Sequence, residues 1–191
     1  MRLAIFGGTF DPVHDAHLAI ARAAADRFRL DQVLFVPAAH PPHKALATHA
    51  PYDDRVRMAQ LAYADERRFE VSRLEENTRR SYSIDTIEKV RAEMAPDGEL
   101  FFIIGSDAFA EIRTWRRWQD VARAVEFLVI GRPGHLYEVP PGVRLERLDT
   151  LELRISSSEI RAALAEGRRP PGIPQPVLDY ILDRGLYGAR R

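Results

Sequence analysis

A short, wholly apolar run, Leu3-Ala-Ile-Phe6, ends at two glycines, Gly7-Gly8, and so fixes how this chain must begin to fold. Four apolar residues without polar alternation suit a strand covered on both faces, as in a parallel sheet sandwiched between helices. Gly7 and Gly8 carry no Cβ, so a ligand can come close to their backbone. From about Asp15 the apolar positions Leu18, Ala21, Ala25 and Phe28 recur at helical spacing. A helix therefore follows, with His14 and His17 at its start, where N–H groups and the helix dipole favour an anion. Strand, glycine turn and helix start in this order suit a nucleotide phosphate.

Further along, short apolar runs alternate with amphipathic stretches, which predicts a wound α/β domain. Strands are expected at Gln32 to Val36, Phe69 to Ser72, Leu100 to Ile104, Phe127 to Ile130 and Arg144 to Leu148. Helices are expected at Tyr52 to Ala64, Ile84 to Met94, Arg117 to Ala124 and Glu159 to Glu166. Pro96-Asp97-Gly98 reads as a turn, and Gly167 as a helix stop. No repeat, low-complexity tract or linker interrupts the pattern. The expectation is one domain over residues 1–191, with a doubly wound, Rossmann-like parallel sheet and a small C-terminal helical part from about residue 156. In such sheets ligands gather beyond the C-terminal strand ends, near the switch in strand order.

Composition excludes several classes. Among 191 residues, 28 basic and 28 acidic side chains cancel, which argues against global attraction to nucleic acid. The absence of cysteine rules out disulfides and thiolate metal sites, and fits a cytoplasmic protein. No apolar run approaches the roughly 20 residues that span a bilayer, and Met1-Arg2 leads straight into the first strand, so neither a membrane partner nor a secretory segment is expected.

Four later segments carry candidate chemistry. Pro41-Pro42-His43-Lys44 is a stiff loop ending in one of only two lysines, the other being Lys89, in an otherwise all-arginine basic set; a compact ammonium there suits a phosphate. Ser81-Tyr82-Ser83 opens a helix with Ser83 as a reasonable N-cap, and the N–H groups around Tyr82 to Asp85 suit a carboxylate. Gly105-Ser106-Asp107 follows a strand, where the acid suits either a helix cap or ribose hydroxyls, and Trp115 and Trp118 offer flat surfaces for packing or stacking. Ile155-Ser156-Ser157-Ser158-Glu159-Ile160-Arg161 enters a helix with serine donors and a guanidinium fork for phosphate oxygens; it reads equally as a serine cap.

The string Gly7-Gly8-Thr9-Phe10-Asp11-Pro12-Val13-His14-Asp15-Ala16-His17 resembles the signature of the HxGH nucleotidyltransferase superfamily, with Ala16 where glycine is usual. The Ile155 to Arg161 segment resembles that superfamily's second signature, in the expected order. The Pro41 to Lys44 loop, with His40 where glutamine is common, and the Ser81 to Thr86 segment, with Ser83 for the commoner threonine, resemble the bacterial nicotinate-nucleotide adenylyltransferases. The closing residues Val177 to Ile181 and Gly185-Leu186-Tyr187 are similar as well, so the resemblance spans nearly the whole chain.

What the resemblance implies is transfer of AMP from ATP to nicotinate mononucleotide, giving deamido-NAD and pyrophosphate. It assigns His14, His17, Lys44 and Arg161 to catalysis. ATP would meet Gly7, Gly8, Thr9, Phe10, His14, His17, Gly105, Asp107, Ile155, Ser156, Ser157 and Arg161. The acceptor would meet His43, Lys44, Tyr82, Ser83, Asp107, Trp115 and Arg132, with Trp115 stacking on the pyridine, Asp107 holding ribose and Arg132 near the phosphate. Mg²⁺ would arrive with ATP, without a protein cage. Other phosphate acceptors, such as nicotinamide mononucleotide or pantetheine phosphate, and a noncatalytic nucleotide-binding module stay open at this stage, as does assembly into a homo-oligomer.

Overall fold

The computed structural model describes residues 1–41, 48–131, 137–149 and 155–190. Among the described residues six parallel strands form one sheet: β1 (Arg2–Gly8), β2 (Gln32–Pro37), β3 (Phe69–Val71), β4 (Glu99–Gly105), β5 (Glu126–Gly131) and β6 (Leu145–Asp149), in the order β3-β2-β1-β4-β5-β6. Seven α-helices are present among the described residues: α1 (Asp15–Arg27), α2 (Tyr52–Tyr63), α3 (Ser83–Glu93), α4 (Ser106–Ala110), α5 (Trp118–Ala124), α6 (Ser157–Ala165) and α7 (Gln175–Arg184).

The continuous apolar strands follow from burial on both sides. Along β1, Leu3 and Ile5 enter one core while Ala4 and Phe6 enter the other. The Ala4 side packs against α1, α2, α6 and α7; the Ile5 side packs against α3 and α5. Fully buried Ile5 alone removes enough apolar surface from water to contribute about 2 kcal/mol. On the Ala4 side, Tyr63 stacks on Phe35 with ring centroids 3.9 Å apart. The C-terminal helices belong to this core through Ile160, Leu164, Val177 and Ile181. Asp54 of α2 fastens α7, accepting from Tyr180 Oη at 2.7 Å and Arg184 Nε at 3.2 Å.

Chain order reverses at β1. Residue Ile5 lies between Leu34 of β2 and Phe102 of β4, so the connection after β1 runs one way and the later return from β3 crosses to β4. The C-terminal ends of β1 and β4 therefore diverge, and Gly7-Gly8 and Gly105 flank the fork.

Helix boundaries reveal two departures from expectation. Tyr82, with extended backbone, caps α3, and Ser83 is its first helical residue; the capping bonds run from the N–H groups of Asp85 and Thr86 to the Tyr82 carbonyl at 3.0 and 3.3 Å. Helix α4 is absent from the sequence pattern because its five residues are too few for an apolar period to emerge. Gly167, with φ +73°, follows the end of α6 in the left-handed conformation that the stop requires.

Candidate active site

His14 and His17 meet at the head of α1. Their rings lie 3.9 Å apart, inclined by 32°, and the His14 backbone N–H donates to His17 Nδ1 at 3.3 Å. This bond sets the tautomer: a neutral His17 with Nδ1 accepting carries its hydrogen on Nε2. Beneath it stands Phe10, edge-on at 5.1 Å. Phe10 holds φ +48° while its side chain is buried among Phe6, Phe35 and His17, a left-handed conformation that is unfavourable for a bulky residue and is maintained by this packing.

Burial keeps both imidazoles neutral. It lowers the pKa of His14 to about 4, and it lowers that of His17 well below the ordinary value, with the neighbouring His14 acting in the same direction. His14 Nδ1 is buried without a hydrogen-bond partner among the described residues. The pair thus presents neutral donors.

The backbone at this helix start is less open than the sequence suggests. The Asp15 N–H goes to the Gly172 carbonyl at 2.9 Å, the His17 N–H to the His14 carbonyl at 2.9 Å, and the His14 N–H to His17. The N–H groups of His14, Asp15 and His17 are therefore already engaged within the protein. Ala16 is buried, so its residue packs within the protein at the position where glycine is usual.

The two signature segments, about 145 residues apart, lie against each other. Arg161 Nη1 donates to the Asp11 carbonyl at 2.7 Å, and Ser157 Oγ donates to the Pro12 carbonyl at 3.0 Å. Ser156 caps α6, accepting from the Glu159 N–H at 3.2 Å and donating to Glu159 Oε2 at 2.8 Å. Ile155 packs against the Ala4-side core. At the hub is buried Asp11, whose role the sequence did not disclose. Its carboxylate accepts from the N–H groups of His49 and Ala50 at 2.7 and 3.1 Å and from Tyr187 Oη at 2.8 Å. Wholly buried Arg55 supports the same loop, donating Nη1 to the Thr9 carbonyl at 2.7 Å and Nε to the Ala50 carbonyl at 3.2 Å. Arginine is so common in this sequence that a buried one on α2 leaves no compositional trace.

Across β1, on the Ile5 side, a cleft of about 170 Å³ opens at the strand ends, bordered by Gly7, Gly8, Gly105, Ser83, Thr86, Glu75 and Trp115. Trp115 is half-buried and stands edge-on to Phe102 at 5.9 Å; Trp118 packs against the same core. Ser81 ties the cleft to the loop after β2, donating its N–H to the His40 carbonyl at 3.0 Å and accepting the His40 N–H on Oγ at 2.9 Å. The Tyr82 ring supports the Arg116 guanidinium at 4.7 Å. Asp107 is the second residue of α4 and is exposed near the fork; Gly105, not an acidic side chain, caps that helix. His43, Lys44 and Arg132 lie outside the described residues. Among the described residues no three His, Asp or Glu side chains cluster as metal ligands, and no helix is long and apolar enough to cross a membrane.

A parallel sheet in this order, with glycines and paired histidines at the reversal, defines a nucleotidyltransferase fold, and residues 5–163 match the model of the cytidylyltransferase-like family. Over 187 residues the chain is 70% identical to a protein of Solibacter usitatus named "Probable nicotinate-nucleotide adenylyltransferase", covering 98% of this chain and 100% of that one. A protein of Thermus thermophilus under the same name is 42% identical over 189 residues, again covering 98% and 100%. The chain belongs to the nicotinate-nucleotide adenylyltransferases within that family. Its fold is similar to that of the nicotinic acid mononucleotide adenylyltransferase of Plasmodium falciparum complexed with NaAD, with a TM-score of 0.79 at 21% identity, over 98% of this chain and 97% of that one.

Proposed function

We infer that the chain transfers AMP from ATP to nicotinate mononucleotide, releasing pyrophosphate and yielding deamido-NAD in NAD biosynthesis. The observation that carries this is the division of the site by β1: neutral histidines and the α6 signature on one side, the Trp115 cleft on the other, and the glycine-flanked fork between. A dinucleotide made from two mononucleotides suits a site divided in this way.

ATP would lie over Gly7, Gly8, Thr9 and Phe10, with its phosphates toward His14, His17 and Arg161, near Gly105, Asp107 and the Ile155 to Ser157 turn. Nicotinate mononucleotide would enter the cleft with its ring against Trp115 and its carboxylate toward Tyr82 and Ser83. Asp107 is assigned to ribose. An oxygen of the acceptor's 5′-phosphate attacks the α-phosphorus in line; the bond from that phosphorus to the oxygen bridging to the β-phosphate breaks, and its electron pair leaves with pyrophosphate. The nucleophile is already anionic, so no general base is needed. Positioning and charge stabilisation supply the catalysis.

His17 Nε2–H is suited to donating to a phosphate oxygen as charge builds there. Arg161 has five N–H donors, one of them held by Asp11. His43, Lys44 and Arg132 are assigned to the anions by resemblance. Mg²⁺ would arrive with the ATP substrate and would offset the negative charge of its phosphates.

The test is pyrophosphate release with ATP and Mg²⁺, comparing nicotinate mononucleotide, nicotinamide mononucleotide and pantetheine phosphate. Fast release with the acid alone is expected. Equal release with the amide would overturn the acceptor preference, and ATP binding without release from any acceptor would favour a noncatalytic module.

A further inference from the structure

The cleft contains a charge that the binding of an anion does not explain. Glu75, only 7% exposed, is the one charged side chain among the described residues lining it. Its Oε1 accepts from Thr86 Oγ1 at 2.6 Å, whereas Oε2 is buried with no hydrogen-bond partner among the described residues. Arg55 is the nearby buried cation; its Nη1 and Nε go to the Thr9 and Ala50 carbonyls, and its buried Nη2 makes no hydrogen bond to Glu75 among the described residues. A carboxylate so deeply placed, with one oxygen unsatisfied, is costly, and a cationic group bound in the cleft would offset that cost.

Resting on the proposed acceptor, we propose that Glu75 is a specificity-determining residue that recognises the positive charge of the pyridinium ring, so that the cleft selects a cationic aromatic ring over a neutral one of the same shape. A quaternary pyridinium nitrogen has no hydrogen to donate. Only charge and its π face distinguish it, and the cleft supplies a carboxylate for the first and the Trp115 indole for the second. The ring's positive charge offsets Glu75, while the acceptor's own carboxylate and phosphate remain for other groups.

The test compares kcat/KM for nicotinate mononucleotide and for 3-(β-D-ribofuranosyl)benzoate 5′-phosphate, its carbocyclic isostere with a neutral aromatic ring, in wild type and in Glu75→Gln. The glutamine keeps the size and an acceptor for Thr86 and removes the negative charge. Wild type is expected to favour the pyridinium, and the variant to lose on the order of tenfold of that preference, the size of a unit-charge interaction across a partly polar protein interior. The loss should fall on the KM for the acceptor, with the KM for ATP unchanged.

An undiminished preference in Glu75→Gln would overturn the proposal and leave discrimination to Trp115 stacking. Equal use of the two rings by wild type overturns it without any variant, which keeps the test decisive if Glu75→Gln fails to fold. Turnover of neither ring would instead overturn the proposed acceptor, and the ring-charge selection with it.

Discussion

His17 gains its donor from a bond that it accepts. With Nδ1 held by the His14 N–H, the ring keeps its hydrogen on Nε2, and burial keeps it neutral. His17→Ala is expected to lower kcat by at least about 100-fold, roughly 2.7 kcal/mol of transition-state stabilisation, with folding intact by circular dichroism; near-normal turnover would remove His17 from the chemistry. His14 should leave a mark on stability. Its pKa is 6.5 when unperturbed and about 4 in the fold, so above pH 6.5 neither state is protonated. As pH falls toward 4, the unfolded chain takes up a proton that the folded one refuses, and on the order of 3 kcal/mol of stability is lost. His17, shifted in the same direction, adds to the loss. Urea unfolding at pH 7 and pH 4.5 should show a smaller acid loss in His14→Asn than in wild type; an equal loss would mean that His14 is not buried neutral.

At the scale of elements, the two glycines ending β1 differ in what surrounds them. A Cβ on Gly8 would come within 3.1 to 3.4 Å of the Phe10 ring, which already holds a left-handed backbone, whereas a Cβ on Gly7 would sit 3.6 Å from Phe102 Cζ, an ordinary contact. Gly8→Ala should therefore cost about 1–3 kcal/mol through overpacking and disturb His17 through Phe10. Gly7→Ala should keep its thermal midpoint and instead raise the acceptor's KM, because its methyl group enters the cleft; the reverse pattern in melting and kinetics would contradict this placement. Trp115→Ala should likewise raise the acceptor's KM more than it lowers stability, because the indole is half-buried at the cleft wall. The elements themselves were legible where periodicity is long: α1 begins at Asp15 as expected, and β1, β2, β4 and β5 contain their predicted apolar runs. Short α4 and the Tyr82 cap were not, because one turn has no period and the capping group is a backbone carbonyl. The serine cap of α6 was visible because Ser156 and Glu159 bond to each other within one turn.

At the scale of the whole molecule, reversal of strand order at β1 creates the fork, and the two helical layers make its sides different. The sequence announced the signature segments, but not that Asp11 would fasten residues 49, 50 and 187 to the loop after β1. Such a hub is assembled from positions far apart in the chain, and no local spacing encodes it. Nor did any pattern distinguish Glu75 from its exposed neighbour Glu76; tertiary burial alone separates them. The proposed function requires that β1 divide the two halves of the dinucleotide. A crystal structure of the chain with deamido-NAD measures this directly. The adenylate is predicted beside His14, His17 and α6, with the pyridine against Trp115 and the joined phosphates over Gly7-Gly8. Both halves of the product on one side of β1, or a pyridine away from Trp115, would contradict this arrangement.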